Sequence, residues 1–329
     1  KTFFKVRHKG NTWYFYDLWP YYMMSLENAS RLYLGEGKSP VDVTKFTSRQ
    51  YVRDNIESIR KYCLRDCELT ARLARNWQSL AKRIGLDFNR PISPATMAGR
   101  YMCGQTVPPR FSDTEYQRMA YASYYGGRFE TLQRGHFDSL HKYDIRSAYP
   151  YEMTKLHDMR DGAWFYGHRP RDDASYGFIR AKVTGSKAVV QALPVRRGGM
   201  VLFPRFHGEE LVMTLDEYYA AERHGLADLE PCECWYFLPN SERRPFRYLE
   251  KLYRDRKALK AKGDKLEAVL KIVLNSTYGK FAQVTAKRVL SGIEPADRDS
   301  EPIVEQDGIR YAYTDYVTGN LFNPVYAAI

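Results

Sequence analysis

Cysteine is scarce in this 329-residue chain: there are five, an odd number. A small odd set argues against a disulfide framework. Cys63 and Cys67 stand one helical turn apart, and Cys232 and Cys234 form Cys-x-Cys. No second pair or histidine cluster completes a zinc spacing. All five are expected to be reduced, which points to an intracellular, cytoplasmic setting. Long apolar runs are also missing. No stretch of roughly 18 apolar residues occurs, and no signal-peptide pattern, so no membrane partner is expected. Acid is in deficit, with 39 Asp and Glu against 51 Lys and Arg, a formal charge of +12. At 44% apolar residues the chain is expected to be globular, with room for two or three domains and a real core.

What is abundant is tyrosine, 27 of them, alongside the basic charge. A basic, aromatic-rich surface suits a polyanion with stackable bases, although tyrosine also fills cores. The stretch Lys271-Ile-Val-Leu-Asn275-Ser-Thr-Tyr278-Gly279 sharpens this. A helix advances about 100° per residue, so Lys271, Asn275 and Tyr278 share a face. Leu266, Val269, Leu270, Val273 and Thr277 form the opposite, mostly apolar stripe. One face packs; the other offers an ammonium for a phosphate and a flat ring for a base, or simply a solvated polar surface.

Taken in order, Val6, Thr12 to Tyr16 and Tyr21-Tyr22 read as strands, with Asp17 ending the run. Residues 25–35 read as a short helix closed by Gly35, and Pro40 to Thr47 as a polar connection. Ser48 to Arg83 is mostly helical, with Tyr62 and Asp66 at i and i+4. Pro91, Pro94, Pro108 and Pro109 mark a linker and outer lobe. Leu140 to Ile145 alternates as a strand that would end at Asp144, and Pro150 is expected to stop the following turn. Tyr176 to Thr184 is a strand, Gly198-Gly199 turns a hairpin, and Leu215 to Gly225 is a helix. Arg247 to Lys262 is a basic helix broken by Gly263-Asp264.

Two of these segments resemble motifs of family B DNA polymerases. Lys271 to Gly279 resembles the fingers-helix motif Lys-x-x-x-Asn-Ser-x-Tyr-Gly, and Tyr143-Asp144-Ile145-Arg-Ser147-Ala148-Tyr149-Pro150 resembles the first palm motif, with Ala148 in place of the usual Leu. Tyr62-Cys-Leu-Arg-Asp66 is similar to the third 3′–5′ exonuclease motif. Tyr124-Tyr125-Gly126-Gly127-Arg128 is similar to the Tyr-x-Gly-Gly element between the exonuclease and polymerase parts; as a plain pattern it is a turn.

The resemblance implies an α/β (α+β) architecture: a partial RNase H-like exonuclease domain at 1–90, a linker at 91–135, a palm at 136–240, helical fingers at 241–285 and a return to the palm at 286–329, with no thumb. It implies DNA-directed DNA synthesis from dNTPs with two Mg²⁺ ions, Mn²⁺ being an alternative, and a primer–template DNA partner. The primer type, including a terminal protein, stays open.

Residue roles follow from the same resemblance. Asp144, with Ile145, would hold metal in the palm. Asp66 would hold it in the exonuclease, where Tyr62 positions the attacking water. Ser147, Ala148 and Tyr149, the last as the gate against ribose, would line the nucleotide with Arg256, Lys260, Lys271, Asn275 and Tyr278. Tyr124, Gly126, Gly127, Arg128 and Lys280 would meet DNA. Tyr313-Thr314-Asp315 is read as a look-alike of the last palm carboxylate motif, Tyr-x-Asp-Thr-Asp-Ser. On this reading that motif and the early exonuclease carboxylates are missing, so the chain is expected to be a fragment that binds primer–template DNA but polymerises poorly or not at all. A compact viral or mobile-element replicase is the implied source. A non-catalytic, polymerase-derived DNA-binding protein is the alternative.

Overall fold

The computed structural model describes residues 3–87, 92–128, 130–131, 133–145, 147–184, 191–197, 200–290, 304–306 and 309–329. In chain order these form β1 (Phe3–His8), β2 (Asn11–Tyr16), α1 (Trp19–Tyr22), α2 (Leu26–Leu34), α3 (Arg49–Asp54), α4 (Ile56–Lys82), α5 (Pro94–Gln105), α6 (Glu115–Ser123), α7 (Ala148–Lys155), β3 (Gly162–Gly167), β4 (Tyr176–Thr184), β5 (Val195–Arg197), β6 (Met200–Leu202), β7 (His207–Thr214), α8 (Leu215–Arg223), β8 (Asp228–Pro239), α9 (Tyr248–Ala261), α10 (Leu266–Thr277), β9 (Val284–Leu290), β10 (Val304–Gln306), β11 (Ile309–Thr318) and α11 (Pro324–Ala328). They divide into two compact units, Lys1–Gln105 with Leu249–Thr277, and Thr106–Tyr248 with Tyr278–Ile329.

In the first unit the long helix α4 is the spine. Leu69, Leu73, Trp77, Leu80 and Ala81 recur at helical spacing and are buried. Tyr21 and Tyr22 pack on Trp77 at ring-centroid distances of 5.4 and 5.5 Å. They sit in α1, not in the strand their β propensity suggested. The Asp17 carboxylate accepts the Trp19 N–H at 2.8 Å, and Pro20 fits a first helical turn, so local capping and the Trp77 contact override propensity. The 48–83 segment is two helices, α3 and α4, meeting at Asn55. The polar connection contains a 3₁₀ turn, Val43–Thr47. Helix α10 buries Leu266, Val269, Leu270, Val273 and Thr277 as its pattern requires, and also Leu274, against α5 and α4.

The second unit is built on a four-stranded antiparallel sheet of order β3-β8-β4-β7. Alternation along β4 sends Ile179, Ala181 and Val183 into a core with Tyr218 and Ala221 of α8. Phe178 joins Met119 and Ala120 of α6 and Val325 of α11. Thr214 and Glu217 form the capping box that starts α8: each side chain accepts the other residue's N–H, at 3.2 and 2.9 Å. The hairpin foreseen at Gly198-Gly199 exists as β5 and β6, although those two glycines lie outside the described residues. Strand β11 lies between β10 and β9.

Two further expectations change. Residues 138–145 form no strand: they lack a pairing partner, and Leu140, Tyr143 and Ile145 are exposed. Pro150 does not stop a turn. It is buried in the first turn of α7, where the N–H it lacks has no intrahelical partner. Within the stretch read as linker and outer lobe, α5 opens at Pro94 and α6 follows.

Candidate functional site

In the first unit, α4 presents Tyr62 and Asp66 one turn apart, and a third residue joins them from the segment after α2. Gly35 closes α2 at φ +74°, in the left-handed region that glycine enters without a Cβ clash. The chain then runs beside α4. The Glu36 carboxylate accepts from both Arg72 nitrogens, at 2.7 and 2.8 Å, and from Arg65 at 2.6 Å. These guanidiniums, Arg72 first, pull Glu36 down to about 2. Glu27 accepts the Lys38 backbone N–H at 2.6 Å.

Lys38 is thereby delivered between the two motif residues. Its ammonium lies 2.7 Å from Asp66 Oδ2, donates to the Tyr62 hydroxyl and sits 4.6 Å from the Tyr62 ring centroid. Burial alone would lower the Lys38 pKa, but Asp66 and Tyr62 more than offset it, and the net shift is upward. Asp66 Oδ1 is buried and accepts no hydrogen bond. Lys38 was not foreseen; it is joined to Tyr62 and Asp66 through the fold, with no short-range spacing to mark it.

On the two basic helices, Lys271 and Asn275 are exposed, as their face requires. Lys260 is exposed and makes no ion pair among the described residues. Arg256 is occupied: its Nε donates to Glu267 at 3.3 Å. Helix α10 ends at Thr277, and Tyr278 begins a 3₁₀ turn, Tyr278–Lys280, that belongs to the second unit. Lys280 donates to Gln283 at 2.9 Å.

The second unit contains a cavity of about 390 Å³ whose wall includes Tyr124, Gly126, Gly127, Arg128, Tyr149 and Tyr278. Three separate sequence segments therefore meet in one place. The Tyr149 and Tyr278 rings stack with centroids 4.3 Å apart and planes 22° apart. The Tyr278 hydroxyl donates to the Ala327 carbonyl at 2.9 Å, and burial raises its pKa. Tyr326, also in the wall, donates to the His157 carbonyl at 3.1 Å and accepts the Met159 N–H at 2.9 Å. Asn323 caps the helix that carries it and donates to the Pro109 carbonyl at 2.9 Å.

Asp144 and Ile145 lie outside this wall, exposed on the segment that enters α7. The Asp144 carboxylate has no hydrogen bond or ion pair among the described residues. Ser147, half-buried, takes φ +53° and ψ +40°, a left-handed conformation costing a non-glycine residue about 1 kcal/mol. It tips the chain into α7, which begins at half-buried Ala148 and carries Tyr149. Among the described residues no three His, Cys, Asp or Glu side chains cluster as a metal site. Asp315 falls in β11, opposite Lys287 in the ladder; its side chain and that of Tyr313 lie outside what is described.

The fold is mixed α/β and similar to that of a DNA polymerase. Phi29 DNA polymerase, in an orthorhombic crystal form, matches 99% of this chain with 57% of its own, at a TM-score of 0.61 and 14% identity. The same enzyme complexed with primer-template DNA and incoming nucleotide substrates matches 98% of the chain with 56% of its own, at 0.57 and 15%. In sequence, a DNA polymerase of Acidianus bottle-shaped virus (isolate Italy/Pozzuoli) is 26% identical over 316 residues, covering 86% of this chain. The chain spans about half of that relative's length, 48%. Residues 14–314 match the family DNA polymerase type B, organellar and viral. The chain belongs to this family.

Proposed function

We propose that the chain carries out template-directed DNA synthesis, with a second site for 3′–5′ excision. The observation that carries the reading is the meeting of Tyr124, Gly126, Gly127, Tyr149 and Tyr278 around one cavity. Domain by domain, residues 1–90 belong to the exonuclease part, 91–135 to the linker, 136–240 and 286–329 to the palm, and 241–285 to the fingers.

In synthesis the primer 3′-OH attacks the α-phosphate of a dNTP, and the bond to pyrophosphate breaks. Lys271 and Lys260, unpaired and exposed, neutralise charge on the triphosphate. Arg256 joins them only by leaving Glu267. Asn275 offers an amide to the nucleotide, and the backbone from Ser147 to Tyr149 lines it. Tyr149 closes the space a ribose 2′-OH would need, its ring held by Tyr278. Gly126 and Gly127 bring the backbone close to DNA phosphates, and Lys280 reaches DNA on releasing Gln283.

The Asp144 carboxylate and Ile145 carbonyl are hard oxygen donors and suit Mg²⁺ or Mn²⁺, which is usually held by one or two carboxylates with substrate phosphates. When bound, two such ions lower the 3′-OH pKa and offset charge on the leaving oxygens. At the excision site, the unpartnered Asp66 Oδ1 suits the same class of ion. Tyr62 positions the attacking water, and Lys38 holds both side chains in register.

The test is primer extension by the chain with dNTPs and Mg²⁺ beside Asp144→Ala. Extension that disappears in the variant is expected. Extension that survives Asp144→Ala overturns the assignment. DNA binding without extension in either protein is also what very weak synthesis by this chain gives, and dNTP-dependent tightening on a dideoxy-terminated primer–template then separates it from the non-catalytic reading.

A further inference from the structure

The Tyr124–Arg128 turn is held from both ends by the hairpin β5–β6. At one end the Arg196 Nη2 donates to the Tyr124 carbonyl at 3.2 Å, and its guanidinium lies 5.7 Å from the Tyr125 ring centroid. At the other end Arg128 rests on Phe203, the residue after β6, with its guanidinium carbon 3.9 Å from the ring centroid. The edge of the same guanidinium is taken by Glu130, to which Nε donates at 2.9 Å. Both arginines are thus engaged within the protein, on face and edge.

What the turn leaves open is its backbone. Gly126 and Gly127 are exposed, and Gly126 has φ +75°. A Cβ at Gly126 would approach only the Tyr124 hydroxyl, at 3.9 Å, so glycine is required there by conformation and not by crowding.

We propose that β5–β6 with Phe203 is a brace for this turn: Arg196 and Arg128 are positioning residues that fix it, and the groups it offers to DNA are the exposed backbone N–H donors of Gly126 and Gly127. This rests on the DNA-binding reading above and deepens it, because it moves Arg128 from a phosphate contact to a fastener. Arg128 is one cation that DNA need not pull away from Glu130. Phe203 has no charge: it carries the stacked guanidinium and lies in the cavity wall, so it makes no phosphate contact of its own.

Two readouts test this in the full chain. The first needs no DNA: backbone ¹⁵N order parameters at Gly126 and Gly127 in Arg196→Gln and Phe203→Leu, the latter keeping apolar bulk while removing the ring face. They are expected to fall from the rigid range, about 0.85, to below about 0.6 at the turn, with the β4 and α8 amides unchanged. Unchanged order parameters at the turn in both variants overturn the brace.

The second is primer–template affinity against salt for the same variants and Arg128→Gln. A lost phosphate contact reduces the slope of log K on log salt by about 0.9, whereas a lost brace weakens binding at every salt concentration with the slope kept. Weakening of about three- to tenfold at constant slope in all three is expected. A slope reduced by about one in Arg128→Gln, with Phe203→Leu binding normally, makes Arg128 a direct contact and overturns the proposal. If the wild-type chain does not bind primer–template, the DNA-binding reading fails, and the order parameters still decide whether the brace exists.

Discussion

At the scale of single residues, Tyr149 and Asp158 make the clearest demands. Tyr149 is half exposed, with its ring stacked on Tyr278. In the proposed role as a gate against ribose, shortening it would open the space a 2′-OH needs. Tyr149→Val is therefore expected to narrow discrimination between dNTP and rNTP by roughly tenfold or more, about 1.4 kcal/mol. Single-nucleotide extension with each substrate checks this, and unchanged discrimination in an active variant would refute the gate.

Asp158 is buried and serves stability. Its carboxylate accepts from Arg160 at 2.6 and 2.8 Å and pairs with Arg243 at 3.2 Å. Arg160 also donates to the Val107 carbonyl at 3.0 Å. Burial pushes the Asp158 pKa up, but the hydrogen bonds from Arg160, helped by Arg243, bring the net shift down. A depressed folded value means the contribution is complete above the unfolded value, about 3.9, and is lost as pH falls through the lower folded value. Asp158→Asn is expected to cost about 3 kcal/mol at pH 7, with the gap to wild type closing below about pH 4. Urea unfolding at pH 7 and pH 3 measures this; a gap that does not narrow in acid contradicts the assignment.

At the scale of elements, α10 shows what a sequence can and cannot display. Its apolar stripe was readable because Leu266, Val269, Leu270 and Val273 recur at helical spacing. Leu274 was not read as core, yet it is fully buried; packing against both α5 and α4 widens the stripe beyond the one facing a single neighbour. Leu274→Ala is expected to lower stability by about 2–5 kcal/mol, read from the denaturant midpoint. Less than 1 kcal/mol would mean the site is not close-packed.

Lys271 and Asn275 are exposed on that helix as their spacing suggested, and Tyr278 starts the 3₁₀ turn that follows it. The Tyr62–Asp66 spacing was equally visible, whereas Lys38 arrives through tertiary contacts that no local pattern encodes. The 138–145 segment alternates like a strand, but alternation without a partner makes no ladder. Tyr21 and Tyr22 have strand propensity and are helical because Pro20 and Trp77 decide their surroundings.

At the scale of the whole molecule, +12 charge and 27 tyrosines fit a protein that holds a polyanion and stacks on its bases. Among the described residues no helix is long and apolar enough to cross a membrane. The mixed α/β fold and the family match agree with that reading, and the charge adds a consequence: primer–template binding should weaken steeply with salt.

The central claim is that the chain selects a nucleotide on a primed template through Asp144. The most direct measurement is the affinity for a dideoxy-terminated primer–template with Mg²⁺, with and without the next complementary dNTP. Chain-terminated DNA separates assembly from chemistry. The complementary dNTP is expected to tighten binding at least about tenfold, a mismatched dNTP to do nothing, and Asp144→Ala to abolish the gain. Equal affinity with and without the complementary dNTP, or an equal gain from a mismatched one, would contradict the account.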